Sequence, residues 1–130
     1  VVTQAAEWSA RYGHTAVVLG TSMWVFGGMA RVNSSLTVMN DVWSSDATAV
    51  SNVGVTWSLE TAAAKWSARS AHATILLGGK IFLLGGWDGE NVLNDVFSSG
   101  NGAYWRVVTA AASWPPRRGH SLATIFGPPS

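Results

Sequence analysis

The chain has 130 residues, no cysteine and a formal net charge of +1. Near-neutrality without a Lys/Arg run excludes a dedicated nucleic-acid or acidic-membrane surface, and zero cysteines exclude disulfides, thiolate metal sites and a cysteine nucleophile. With 48% apolar and 12% charged residues, the composition is that of a packed protein whose apolar stretches are too short for a membrane span.

Taken in chain order, the opening "VVTQAAEW" carries neither an initiator Met nor a signal-peptide pattern, so it reads as a piece of something processed or longer. It matches "VVTAAASW", Val107 to Trp114, and residues 1–7 are therefore expected to be the end of an outer strand. Trp8, Arg11 and His14 then begin a unit that recurs as Trp66, Arg69 and His72, and again as Trp114, Arg117 and His120. "WVFGG" (Trp24 to Gly28) returns as "FLLGG" (Phe82 to Gly86), "NDVWSS" (Asn40 to Ser45) as "NDVFSS" (Asn94 to Ser99), and "TWSLETAAAKW" (Thr56 to Trp66) as "YWRVVTAAASW" (Tyr104 to Trp114). The segments between the matching cores differ in length, as loops of a repeated fold do.

Each unit reads as four short strands. In the second unit these are "HATILLGG", "KIFLLGG", "NDVFSS" and "YWRVV", bounded by Gly, Asn, Ser or Asp. The first two are nearly continuous apolar runs, which predicts strands buried on both faces. The Ala runs before Trp66 and Trp114 read as connectors, with a short helix as the alternative. The expected organisation is 1–7 from a preceding unit, units at 8–65 and 66–113, and the first strand of a following unit within 114–130.

Four strands in about fifty residues, repeated, is the arithmetic of a β-propeller blade. A Gly-Gly doublet closing the second strand, an aromatic in the third (Trp43, Phe97) and a Trp in the fourth (Trp57, Trp105) together resemble the kelch family. That resemblance covers Val1 to about Gly127. It implies an all-β, kelch-type propeller segment of four-stranded antiparallel blades. Two complete blades do not close a ring, so the other blades are expected from a longer chain or from identical copies.

Residues present in every unit are expected to serve the blade. Gly27, Gly28, Gly85 and Gly86 suit close backbone approach or positive φ, and Trp57 and Trp105, with Trp8, Trp66 and Trp114, suit blade-to-blade packing. Asp41 and Asp95 are placed to bond local backbone, with Arg11, Arg69 and Arg117 as ion-pair partners across blades. His14, His72 and His120 are expected to bond their own strands; no metal site and no cofactor is predicted.

Function is expected where units differ. The kelch resemblance implies binding by the loops joining second to third strands, here "MARVNSSLTVM" (Met29 to Met39) and "WDGENVL" (Trp87 to Leu93), and by those leading from fourth to first strands. Arg31, Asn33, Trp87, Asp88, Glu90 and Arg118 are the candidate binding residues, for a protein or glycan partner. Asn33-Ser34-Ser35 is an N-glycosylation sequon. The leading expectation is a non-catalytic interaction module, with an extracellular or cell-surface setting. The alternatives are a kelch-like sugar mutarotase or copper radical oxidase with its active residues in other blades, or a structural repeat of an extracellular assembly.

Overall fold

The structure is a computed structural model describing residues 1–48 and 50–121. Much of the first strand expected within 114–130 lies outside the described residues. Among the described residues, nine strands build two antiparallel sheets. The first comprises β1 (Arg11–Tyr12), β2 (Thr15–Leu19), β3 (Ser22–Val32), β4 (Ser35–Asp46) and β5 (Ser58–Thr61). β3 pairs with β4 on one side and with both β2 and β1 on the other. The second runs β6 (Ala73–Leu77), β7 (Lys80–Trp87), β8 (Val92–Ser99) and β9 (Arg106–Thr109), each strand beside the next. A single bridge between Ser70 and Trp87 stands where β1 stands in the first sheet. Both Ala-rich connectors are irregular, and the longer insertion in the first sheet holds a 3-10 turn at Val50–Asn52.

Val1–Thr3 form no strand, although they copy Val107–Thr109: a fourth strand pairs with the third strand of its own sheet, and these residues have none here. Burial also departs from the expectation of two covered faces. Along β7, Ile81 and Leu83 are fully buried while Phe82 and Leu84 are half-buried. The period is two because, among the described residues, each sheet packs one face on the other sheet and has no sheet against its second face.

The core lies between the sheets. Phe26 and Val42 come from the first, Ala64 and Trp66 from the connector, and Ile81, Leu83, Phe97 and Trp105 from the second. Trp105 meets Phe26 and Trp66 edge-to-face, with centroids 5.5 and 6.0 Å apart. The fully buried Phe26, Val42, Ile81 and Leu83 side chains each contribute about 1.5–3 kcal/mol from apolar burial.

The stretch Met29–Met39, expected as a loop, is instead a β-hairpin. β3 continues past its glycines to Val32 and β4 starts at Ser35, with Asn33 (φ 48°) and Ser34 (φ 67°) as the turn. Two positive φ values at a two-residue turn match the twist of the flanking strands, and asparagine tolerates that region better than most residues. Trp87 likewise ends β7, so only Asp88–Asn91 separate it from β8.

Candidate functional site

A repeated clasp positions the face where the units differ. Gly28 N donates to Arg69 O at 2.9 Å and Arg69 N to Met39 O at 3.0 Å, fixing the backbone of the Trp-x-x-Arg-x-x-His segment to the first sheet. The Arg69 side chain turns the other way, donating to both Asp95 oxygens (2.6 and 2.9 Å) and to Gly85 O (2.9 Å). Arg69 therefore stitches one sheet to the next with a guanidinium that is 0% exposed. Arg117 repeats the backbone half of the clasp on Gly86 and Leu93, and stacks on Trp114. Arg11 grips Asp41 in the same bidentate way. These ion pairs form within one sheet, not across sheets as expected, because β1 and its Ser70 counterpart add to the sheet they precede. Asn40 and Asn94, rather than the aspartates after them, bond the connector backbone at Ala64 and Ala112.

Burial works to raise the Asp41 pKa, but hydrogen bonds from Arg11 and Trp43 outweigh it and hold the carboxyl below the usual range. The Trp43 indole donates to Asp41 Oδ2 at 2.8 Å.

The histidines pack into the glycine doublets. A Cβ on Gly27 would meet His72 Cε1 at 3.3 Å, and one on Gly28 would meet His14 Cβ at 2.9 Å; Gly85 and Gly86 stand in the same relation to His120 and His72. With φ of 53° to 103° as well, only glycine fits these positions. His72 reaches the neighbouring sheet, where Nε2 and Thr15 Oγ1 share a hydrogen bond of 2.9 Å. That corrects the expectation of bonding within its own strand: the ring points back over Gly27. Burial first, then the Arg69 charge, lowers its pKa to about 3. Burial and Arg11 lower that of His14. Among the described residues, no three His or carboxylate side chains gather closely enough to hold a metal ion.

Beside this clasp the two hairpins flank a groove. Tyr12, Gly13, Met29, Leu36, Ser70, Ala71, Trp87, Arg118 and Gly119 line a hollow of about 580 Å³. A second hollow, of about 340 Å³, shares Met29, Leu36 and Trp87 and continues to Val38 and Gly89. Tyr12 donates to Met29 Sδ at 3.0 Å, fixing that wall, and the Arg118 guanidinium lies 5.6 Å from the Trp87 ring centre.

Of the expected binding residues, Trp87 and Arg118 line the groove. Arg31 is exposed near the hairpin tip and donates to Ser34 O. Asn33 is exposed in the turn, which leaves its sequon accessible. Asp88 accepts from Glu90 N and Asn91 N (2.9 and 2.7 Å), which closes its own turn and holds its carboxyl below the usual range. Glu90 is exposed beside it. Sequence reasoning missed Tyr12, Met29 and Leu36. A signal for the first was present: in Trp-x-x-Arg-x-x-His the residue after Arg changes from Tyr12 to Ser70 to Arg118, and all three line the groove.

The KLHDC2/KLHL20/DRC7 Kelch-repeats domain matches residues 1–127. The chain is 35% identical over 91 residues to a leucine-zipper-like transcriptional regulator 1 homolog of Drosophila melanogaster, covering 68% of this chain and 9% of that protein. It is 32% identical over 88 residues to a tRNA wybutosine-synthesizing protein 2/3/4 of Arabidopsis thaliana, covering 68% of this chain and 8% of that one. The chain thus spans less than a tenth of the length of these relatives.

Proposed function

Since the chain belongs to the kelch-repeat family, whose domains are protein-interaction modules, we propose that it binds a peptide segment of a protein partner in the groove between its two hairpins. One observation carries this reading. The groove is lined where the units depart from each other, at Tyr12, Ser70 and Arg118 and at Met29 and Trp87, while the repeated Arg, Asp, His and Gly residues are spent on the clasp. Its walls, with Met29, Leu36, Tyr12 and Trp87, offer apolar contact and few hydrogen-bonding groups, which favours a peptide over a glycan.

The test is a displayed library of proteome peptides screened against the chain. Binders are expected to lose about tenfold or more in affinity with Trp87→Ala and none with Lys80→Glu at the other end of β7. Binders lost with Lys80→Glu and kept with Trp87→Ala would overturn the assignment.

The open sheet faces support a second role, packing against further blades in the same longer chain or in identical copies. The exposed hollow of about 260 Å³ at Ala16, Val18, Met23, Val25 and Trp57 corresponds, unit for unit, to Thr74, Leu76, Ile81, Leu83 and Trp105. Of these, Ile81, Leu83 and Trp105 lie in the core against the first sheet, with Leu76 packed on it. Denatured and native masses of one sample distinguish the two sources: a native mass that is a multiple of the denatured one means copies, and equal masses rule them out.

A further inference from the structure

β4 runs well beyond its pairing with β5, which covers only Val42–Ser44 and Thr61 to Ser58. Ahead of that, Ser35–Met39 has β3 on one side and, among the described residues, no strand on the other. The register shows which backbone groups this leaves open. In a hairpin with a two-residue turn the flanking pair, here Val32 and Ser35, exchanges both hydrogen bonds, and bonded and non-bonded pairs alternate from there. Ala30–Thr37 is then a bonded pair, while Arg31–Leu36 and Met29–Val38 are not. The N–H and C=O groups of Leu36 and Val38 therefore point away from β3. So do those of Asn40, next in the same phase, whose carbonyl accepts from Ala64 N at 2.9 Å. Leu36 and Val38 have no such backbone partner among the described residues. In the second sheet only Val92 stands in that phase ahead of Asn94, whose carbonyl accepts from Ala112 N.

This open edge borders the groove. Leu36 and Val38 line the smaller hollow with Trp87 and Gly89, and Leu36 is 54% exposed. Edge strands are commonly guarded against stray pairing by charge or proline. β5 holds Glu60 and β9 holds Arg106, but Ser35–Met39 holds neither a charge nor a proline.

We infer that the peptide taken by this groove binds as an added β-strand on the Leu36–Val38 edge of β4. This rests on the groove being the binding site and adds how the ligand is held. Its main chain bonds the outward groups of Leu36 and Val38, which gives affinity with little regard to sequence. Every second side chain lies on the face of Leu36 and Val38, against Trp87, and there an apolar residue is selected. The bonded stretch is short, about three peptide residues, because the connector already occupies the edge at Asn40.

The experiment selects a displayed random heptapeptide library on the whole chain, then remakes a selected peptide as a series with one backbone amide N-methylated at a time. Affinity should fall about fivefold or more at alternate positions and hold at those between. Leu36→Pro deletes one outward N–H and keeps the bonds of the hairpin itself, so it should weaken binding more than Leu36→Ala. The methylated series leaves the protein unaltered, and its result stands whether or not the proline variant folds. Losses without a period of two, in peptides that still need Trp87, overturn the added strand and leave the groove standing. Peptides indifferent to Trp87→Ala remove the groove itself, and the inference with it. A chain whose native mass doubles without peptide and is halved by Leu36→Pro gives the edge to a second copy, which also overturns the inference.

Discussion

Asp41 and Asp95 occupy the same place in the two sheets, yet their surroundings differ. Each accepts two guanidinium hydrogen bonds at 2.6 and 2.9 Å, but Asp41 has a third donor in the Trp43 indole, where Phe97 gives Asp95 none. The arginines differ in the opposite sense. Arg69 bonds one sheet through its backbone and the other through its side chain, a double duty that reaches across the core. Where the sheets agree, backbone geometry and buried charge leave no freedom. Where they differ, at the hairpin of Met29–Met39 against the short turn after Trp87, the side chains of residues 31–37 face solvent and sequence is free to specialise.

The largest effect should come from breaking the clasp. Arg69→Ala strips Asp95 of its partner and should cost about 3–5 kcal/mol, whereas Arg11→Ala should cost less because Trp43 still donates to Asp41. Urea unfolding of both variants checks the order; equal losses would mean that the indole does not sustain Asp41.

Next in size is acid sensitivity. His72 is buried with a pKa near 3 against an ordinary 6.5, so below pH 6.5 the unfolded chain binds a proton that the folded chain refuses. Stability should therefore fall as pH drops from 6.5 towards 3, by up to about 1.4 kcal/mol per pH unit from this residue. His72→Gln should flatten the profile in that window, after an offset for the lost contact with Thr15. A profile of unchanged slope would contradict the burial of the ring.

The smallest change sharpens the difference between the aspartates. Trp43→Phe makes the first sheet resemble the second, and should cost about 1 kcal/mol for the lost hydrogen bond. In the Arg11→Ala background the same substitution should cost more, because Asp41 then loses its last side-chain donor. A thermal-unfolding double-mutant cycle reads the coupling.

Much of the fold was legible because the chain repeats itself: the Trp-x-x-Arg-x-x-His triplet, the glycine doublets and the Asn-Asp pairs mark equivalent places without any structure. Their partners were not legible. That Arg69 bonds the first sheet through its backbone while its side chain pairs in the second, and that His72 leans over Gly27 of the neighbouring sheet, depend on how two sheets are set side by side, which spacing along one chain does not encode. The hairpin at Asn33–Ser34 was hidden because its turn lacks the usual Asn-Gly pair. The candidate site was half visible. Trp87 and Arg118 drew attention as an aromatic and a cation in variable segments, while Met29, Leu36 and Tyr12 look like ordinary core residues until the hairpins are seen to flank them.

The most direct test is hydrogen exchange on the chain with and without a peptide selected for binding. Slowed exchange confined to the segments that line the groove, residues 12–13, 29–39, 70–71, 87–92 and 118–119, is the expected result. Protection confined instead to the outer strands β5 and β9, with both hairpins unchanged, would contradict recognition in the groove.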